Sequence, residues 1–299
     1  MTDYNKILLT GATGFIGSYI TEELQGAGIK PDTLSRHEGA TYVCDLEKVS
    51  PEISTSYDAV IHAAGTDDPA RADALNNEGT RRLLEALEQN PPRHITFLSS
   101  VHVYGNDPGT DVEESCFLRP DTPYSRSKIR AEKLLEQWCE AHGVTLTLLR
   151  PALTAGRGMH GRLARMADAV SRGNYMHLRG NTGVRSLVMA DDVARAVRLT
   201  LGLPGIFNVS DGKEHRIIDI ADAMAANFST DKRILSMPRG VVKWGLRLCP
   251  IPKLKNTVAT LTASATFSNK ALVEATGLQP YDTIEVMARR DPSYPYREE

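Results

Sequence analysis

The sequence predicts an α/β protein: a doubly wound parallel sheet followed by a smaller C-terminal region. Three observations predict it. An apolar run, Ile7-Leu8-Leu9, passes into a glycine-rich turn and then into a helical pattern. Further short apolar runs at 59–61, 94–98 and 144–149 alternate with helical segments, as a parallel sheet requires. The chain has 299 residues, 41% apolar and 24% charged, enough for a sizeable core.

Composition narrows the function classes. A net charge of -2 offers nucleic acid no general attraction. The first residues lack the basic and apolar regions of a signal peptide, and no apolar run is long enough to span a bilayer. Cys44, Cys116, Cys139 and Cys249 form no C-x-x-C pair, and the eight histidines form no H-E-x-x-H. The expectation is a cytoplasmic protein with reduced thiols, no metal site and no stable membrane insertion.

The elements follow in order. Gly11, Gly14 and Gly17 stand between the first strand and a helix carrying Phe15, Ile16, Tyr19, Ile20 and Leu24. Strand, glycine turn and helix open a dinucleotide-binding βαβ unit of the Rossmann kind. One glycine turns the chain, one admits a pyrophosphate and one lets helix approach strand. The helix N-terminus supplies unpaired N–H groups to the anion. A second strand spans 32–35 and ends in Thr33-Leu34-Ser35-Arg36. An acid at that point would bind a ribose 2′-hydroxyl. Arg36 beside a hydroxyl suits a 2′-phosphate instead, so NADP(H) is preferred, with NAD(H) possible. The competing reading of Arg36 is a solvated loop arginine.

Asp45-Leu46 comes next, then Tyr57 to Gly65, read Y-D-A-V-I-H-A-A-G, whose Ala59-Val60-Ile61 is a buried strand. His62 reads as packed or hydrogen-bonded rather than catalytic. Asn76 opens N-N-E-G-T, and the helix through Leu83, Leu84 and Leu87 stops at Pro91-Pro92. The strand 94–98 runs into Ser99-Ser100-Val101-His102-Val103-Tyr104-Gly105. Tyr124 and Lys128 stand four apart at the start of a helix continuing through Ala131, Leu135 and Trp138, so both lie on one face. A free phenol, with pKa ~10, trades protons poorly near neutrality, and a nearby ammonium would lower that value. The strand 144–149 ends at Arg150-Pro151.

Beyond Pro151 the pattern loosens. Gly156, Gly158 and Gly161 with Arg157 and Arg162 read as a flexible basic loop. Arg185 lies in G-N-T-G-V-R-S-L-V-M-A-D-D-V, whose Asp191 and Asp192 read as the N-cap of a helix. A strand at 205–210 and a helix with Ile217, Ile220, Ala221 and Met224 follow. Residues 239–255 mix Arg239, Lys243, Arg247, Lys253 and Lys255 with Trp244, Leu246 and Leu248. They read as a packed amphipathic helix, a lid over an anionic substrate, or a membrane-surface helix. The expected division is a cofactor domain at 1–155 and a substrate region at 156–299, parts of which pack back on the first.

Several of these stretches together resemble the extended short-chain dehydrogenase/reductase superfamily, in its NAD(P)-dependent epimerase/dehydratase branch. They are T-G-A-T-G-F-I-G, H-A-A-G, S-S-V-H-V-Y-G, Y-S-R-S-K and L-R-P, with weaker matches through N-V-S and T-G-L-Q-P. The resemblance implies a catalytic trio of Ser100, Tyr124 and Lys128. It implies cofactor contacts from Gly11, Thr13, Gly14, Phe15, Ile16, Gly17, Asp45, Leu46, Ala63, Ala64, Gly65, Tyr124, Lys128 and Pro151, alongside Arg36. It places Ser100, His102 and Arg185 at the substrate, with Arg185 on a diphosphate. Val101 and His102 stand where the branch's dehydratases carry an acid pair, which argues against dehydration. The implied activity is NADPH-dependent reduction of a nucleotide-activated keto sugar, with a nucleotide-sugar 4-epimerase holding NAD tightly as the alternative. A non-catalytic NADP(H)-binding sensor or scaffold is the reading from another class. A homodimer pairing the helices after Asp68 and after Pro123 is also implied.

Overall fold

The protein is described from a computed structural model at residues 4–228, 234–238 and 262–289. The stretch 239–255 and the tail after Asp291 lie outside the described residues.

Seven parallel strands form the central sheet: β1 (Ile7–Thr10), β2 (Asp32–Ser35), β3 (Tyr42–Val43), β4 (Ala59–His62), β5 (His94–Leu98), β6 (Thr145–Pro151) and β7 (Gly205–Val209). Their spatial order is β7-β6-β5-β4-β1-β2-β3. Alternation along β1 shows how one short apolar run serves two layers. Ile7 and Leu9 pack into one core with Tyr19, Ile20 and Leu24 of α1 (Phe15–Gly26). Leu8 points the other way, into a core with Leu83 and Leu87 of α2 (Glu78–Leu87) and Leu135 of α3 (Pro123–His142). Burial on both faces is why these strands read as continuous apolar runs rather than alternating ones.

The helix ends are written in the sequence. Thr122 and Ser125 close a reciprocal capping box on α3, Pro123 occupies its first turn, and Gly143 ends it at φ 65°. α1 differs: Gly14 caps it with no side-chain hydrogen bond and no acid lies in its first turn, so its N-terminal amides stay open to an anion.

Sequence halves and spatial halves do not coincide. The late strand β7 completes the central sheet, and α5 (Ala190–Leu199) packs against α1. In exchange, the early strand Gly109–Val112 joins a second sheet with 265–267, 184–185 and 215–216. A third core forms around α4 (Gly161–Ser171) and α6 (Ile217–Asn227). Asp191 and Asp192 are not the cap of α5. The helix starts one residue earlier, at Ala190, with Met189 at the cap. Both acids therefore sit in the first turn, where the helix dipole favours them, and Asp192 accepts from Arg195 at 2.7 Å and from the Tyr281 amide at 2.8 Å.

A buried polar network ties the two regions together. Arg150, on β6, forms a two-point pair with Glu132 of α3 at 3.0 and 2.7 Å. It also donates to the Tyr104 hydroxyl at 2.8 Å, which donates to Asn208 of β7 at 2.9 Å. Each group has its partner, as burial at this depth requires.

Candidate active site

Strand order reverses between β1 and β4, and the crevice opens at their carboxyl ends, where doubly wound sheets place ligands. The glycine turn lies in that crevice. Gly11 has φ +72°, and a Cβ on it would stand 2.6 Å from the Ala64 amide nitrogen. A Cβ on Gly17 would meet the Gly11 carbonyl oxygen, so only glycine lets the helix approach the turn. A Cβ on Gly65 would lie 3.1 Å from Lys128 Nζ.

The crevice fits a dinucleotide. A cavity of about 260 Å³ is lined by Gly11, Thr13, Ser35, Arg36, Asp45 and Leu46, among others. No acid stands at the end of β2: Ser35 is followed by the exposed Arg36, and its hydroxyl accepts from the His37 amide at 3.2 Å. Gly14, the N-cap of α1, lines the same space. These residues would hold the pyrophosphate and the adenosine end of the cofactor, and the pocket's far side brings in Ala64 and Gly65. A second cavity, about 410 Å³, takes in Phe15, Ile16, Ser100, His102, Tyr124 and Pro151. It would receive the nicotinamide end and the substrate.

Ser100 caps a short 3-10 turn, Val101–Tyr104, and so projects from the end of β5 at a fixed angle. Its Oγ lies 2.9 Å from His102 Nδ1 and accepts from the His102 amide at 3.2 Å. Tyr124, in the first turn of α3, lines the same cavity as Ser100, and its ring meets that of His102 edge-on at 6.0 Å between centroids. Burial pushes the Tyr124 phenol up to about 12, Ser100 opposes that rise, and Asp67 adds to it. The sequence predicts that Lys128 lowers this pKa. In the structure the Lys128 ammonium donates to the Leu98 carbonyl at 2.7 Å and lies 4.6 Å from the Phe97 ring centre. Burial brings Lys128 itself down to about 8.

Two neighbours have supporting roles. His62 is fully buried between Thr10 Oγ1 at 2.7 Å and Thr80 Oγ1 at 2.9 Å, and burial pulls it down to about 3. Both nitrogens are occupied, so it is packing. Asn76 accepts from the Thr66 amide and donates to the Thr66 carbonyl and Ser127 hydroxyl, each at 2.9 Å. It fixes the backbone under the crevice.

Arg185 lies in an adjoining cleft with His102, Asn106 and Arg162. It donates to the Val184 carbonyl at 2.9 Å and also to that of Ala263. Desolvation lowers its pKa, and the neighbouring Arg162 lowers it further. Arg162, which donates to Asn106 Oδ1 at 3.0 Å, and Arg185 thus line one small cleft. Arg162 is absent from the expected set; its signal is the glycine-flanked basic stretch around it. Arg157 of that stretch instead pairs with Glu22 at 3.2 Å, on the far side of α1. The stretch is anchored there: the Arg157 amide donates to the Tyr19 hydroxyl at 2.6 Å. His160 and Asp67, also outside the expected set, face each other across the cavity mouth at 3.8 Å.

Residues 7–210 match the model of the NAD dependent epimerase/dehydratase family. The chain belongs to that family. It is 26% identical over 211 residues to an Escherichia coli O157:H7 N-acetyl-alpha-D-glucosaminyl-diphospho-ditrans,octacis-undecaprenol 4-epimerase, covering 66% of this chain and 63% of that one. It is 28% identical over 281 residues to UDP-glucose 4-epimerase of Yersinia pestis, covering 73% and 81%. It is 27% identical over 269 residues to GDP-6-deoxy-D-mannose reductase of Pseudomonas aeruginosa, covering 78% and 83%. The fold matches UDP-glucose 4-epimerase of Thermus thermophilus in complex with NAD, at TM-score 0.73 and 24% identity over 95% and 96% of the two chains. It also matches RMD of Pseudomonas aeruginosa complexed with NADPH, at 0.74 and 24% over 96% and 97%. This family member is thus an NAD(P)-dependent enzyme of the epimerase and oxidoreductase type. Among the described residues no helix is long and apolar enough to cross a membrane, and no cluster of His, Cys, Asp or Glu could hold a metal.

Proposed function

We propose that this protein is an NADPH-dependent reductase of a nucleotide-activated 4-keto sugar, acting in the cytoplasm as a homodimer paired through α2 and α3. The observation that carries the reading is the end of β2, where Ser35 and Arg36 line the adenosine cavity in place of an acid. A guanidinium and a hydroxyl bind a 2′-phosphate, and NADP(H) is the cofactor of net reduction. The paired Arg162 and Arg185 suit the substrate diphosphate.

The bound dinucleotide supplies the hydride. The chain's own residues handle the proton. Tyr124, whose pKa lies near 12, keeps its proton at neutral pH and is ready to give it to an alkoxide forming at the keto carbon. Ser100, with its one hydroxyl proton, stabilises the phenolate left behind. Lys128, fixed on the Leu98 carbonyl beside Gly65, is placed to hold the nicotinamide ribose.

The test is a panel of 4-keto sugar nucleotides with uridine, guanosine and thymidine bases, offered with NADPH and with NADH. The expected result is stoichiometric NADPH consumption with one base and slower use of NADH. Co-purified NAD with interconversion of two sugar nucleotides, and no net consumption, would make the protein a 4-epimerase instead.

A further inference from the structure

The site contains an imidazole that the mechanism above does not use. His102 Nδ1 lies 2.9 Å from Ser100 Oγ, while Nε2 has no hydrogen-bond partner among the described residues. The ring lines both the 410 Å³ cavity and the arginine cleft. Which nitrogen carries the proton decides what Ser100 can do.

The hydroxyl has one proton and two lone pairs. The His102 amide already occupies one lone pair, at 3.2 Å. If Nδ1 is bare, Ser100 must donate to it, and no proton is left for Tyr124 or the reacting oxygen. If Nδ1 carries the proton, it fills the second lone pair. The Ser100 proton is then left for the Tyr124 oxygen in the cavity they share, where it would stabilise the phenolate. The same tautomer leaves Nε2 as a bare lone pair on a ring that lines both cavities, able to accept a hydrogen bond and unable to give one.

We propose that His102 is a positioning and specificity residue: its Nδ1–H aims the Ser100 hydroxyl at the reaction centre, and its Nε2 accepts from a substrate hydroxyl beside the reacting carbonyl. The substrate class is therefore an α-hydroxy ketone sugar rather than a deoxy or O-alkylated analogue. The Tyr124 ring meets the imidazole edge-on, and the charges that act on it are those of Arg162, Asp121, Arg185 and Asp67. Burial, with both arginines, holds the imidazole down at about 4, so it is neutral across the working range.

The aiming half can be tested without substrate and so stands apart from the reductase reading, on which only the hydroxyl half rests. Nitrogen-15 NMR of the free protein, assigned against His102→Asn, is expected to show a protonated Nδ1 and a bare Nε2. The opposite tautomer overturns the proposal. An asparagine amide can replace the Nδ1–H donor but not the Nε2 acceptor. His102→Phe should therefore lose roughly tenfold in kcat, the scale of one hydrogen bond, and His102→Asn should recover kcat while KM stays raised. Equal kcat in His102→Phe and the parent would overturn the aiming role. Equal kcat/KM for α-hydroxy and α-deoxy ketone substrates in the parent would overturn the specificity role.

Discussion

Lys128 Nζ donates to the main-chain carbonyl of Leu98 at 2.7 Å, one strand end away from Ser100. The lysine thereby ties α3 to the tip of β5, and with it Tyr124 to Ser100. Its spacing from Tyr124 sets a common helix face, and the four-carbon stem carries the ammonium on to the Leu98 carbonyl. Burial has shifted the two groups in opposite senses, the phenol up to about 12 and the ammonium down to about 8. Both shifts favour the neutral forms.

Tyr124→Phe removes the donated proton while keeping the ring's packing. Turnover should fall at least ~10²-fold. Dinucleotide binding, followed by fluorescence titration, should stay within about twofold, because general acid–base loss leaves ground-state contacts intact. Wild-type turnover in this variant would remove Tyr124 from the chemistry.

Arg36→Glu places an acid at the end of β2. The KM for NADPH should rise at least about tenfold through loss of a charge-assisted hydrogen bond and gain of repulsion. The KM for NADH should hold steady or fall. Steady-state kinetics with both cofactors checks this, and unchanged selectivity would return Arg36 to the solvated surface.

Glu132 and Arg150 are each only 3% exposed and pair at 2.7 Å. Glu132→Ala should cost about 3–5 kcal/mol, because it strands a buried guanidinium. The double variant Glu132→Leu/Arg150→Met should recover much of that loss. Urea denaturation of the parent, Glu132→Leu, Arg150→Met and the double variant measures the coupling, and additive losses would show that the pair is not acting as a unit.

His62 and His94 sit at about 3 and about 4, both pulled down by burial. The unfolded chain takes up a proton near pH ~6.5, while the folded chain does not until far lower. Their contribution is thus present above pH ~6.5 and lost as pH falls toward the folded values. Between about pH 7 and 5 each should cost on the order of 2 kcal/mol of stability. His62→Asn should flatten that slope in chemical denaturation across the interval; an unchanged slope would mean that His62 titrates alike in the folded and the unfolded chain.

The crevice-forming half is legible because its constraints are local. Glycine is required wherever a Cβ would strike backbone, as at Gly11 and Gly17, so the turn shows in the sequence. Burial on both faces makes each strand a short apolar run. Helix spacing puts Tyr124 and Lys128 together, and the capping box marks where that helix begins. The doubly wound sheet, its crevice and the common face of Tyr124 and Lys128 therefore follow from short stretches of chain read alone.

The remaining features depend on contacts between residues far apart in the chain, and only the packed molecule fixes them. The long crossover from β6 to β7 returns the second half to the sheet, and no local signal marks that exchange. The meeting of Arg162 and Arg185 in one cleft joins the first turn of α4 to a strand of the second sheet, and only the second carries a motif. The partner of Lys128 is a carbonyl, which has no residue identity to read. The Ser100–His102 contact depends on how a 3-10 turn folds two residues back on each other. The protonation of His102, Tyr124 and Lys128 follows from burial, a property that exists only once the chain has packed around them.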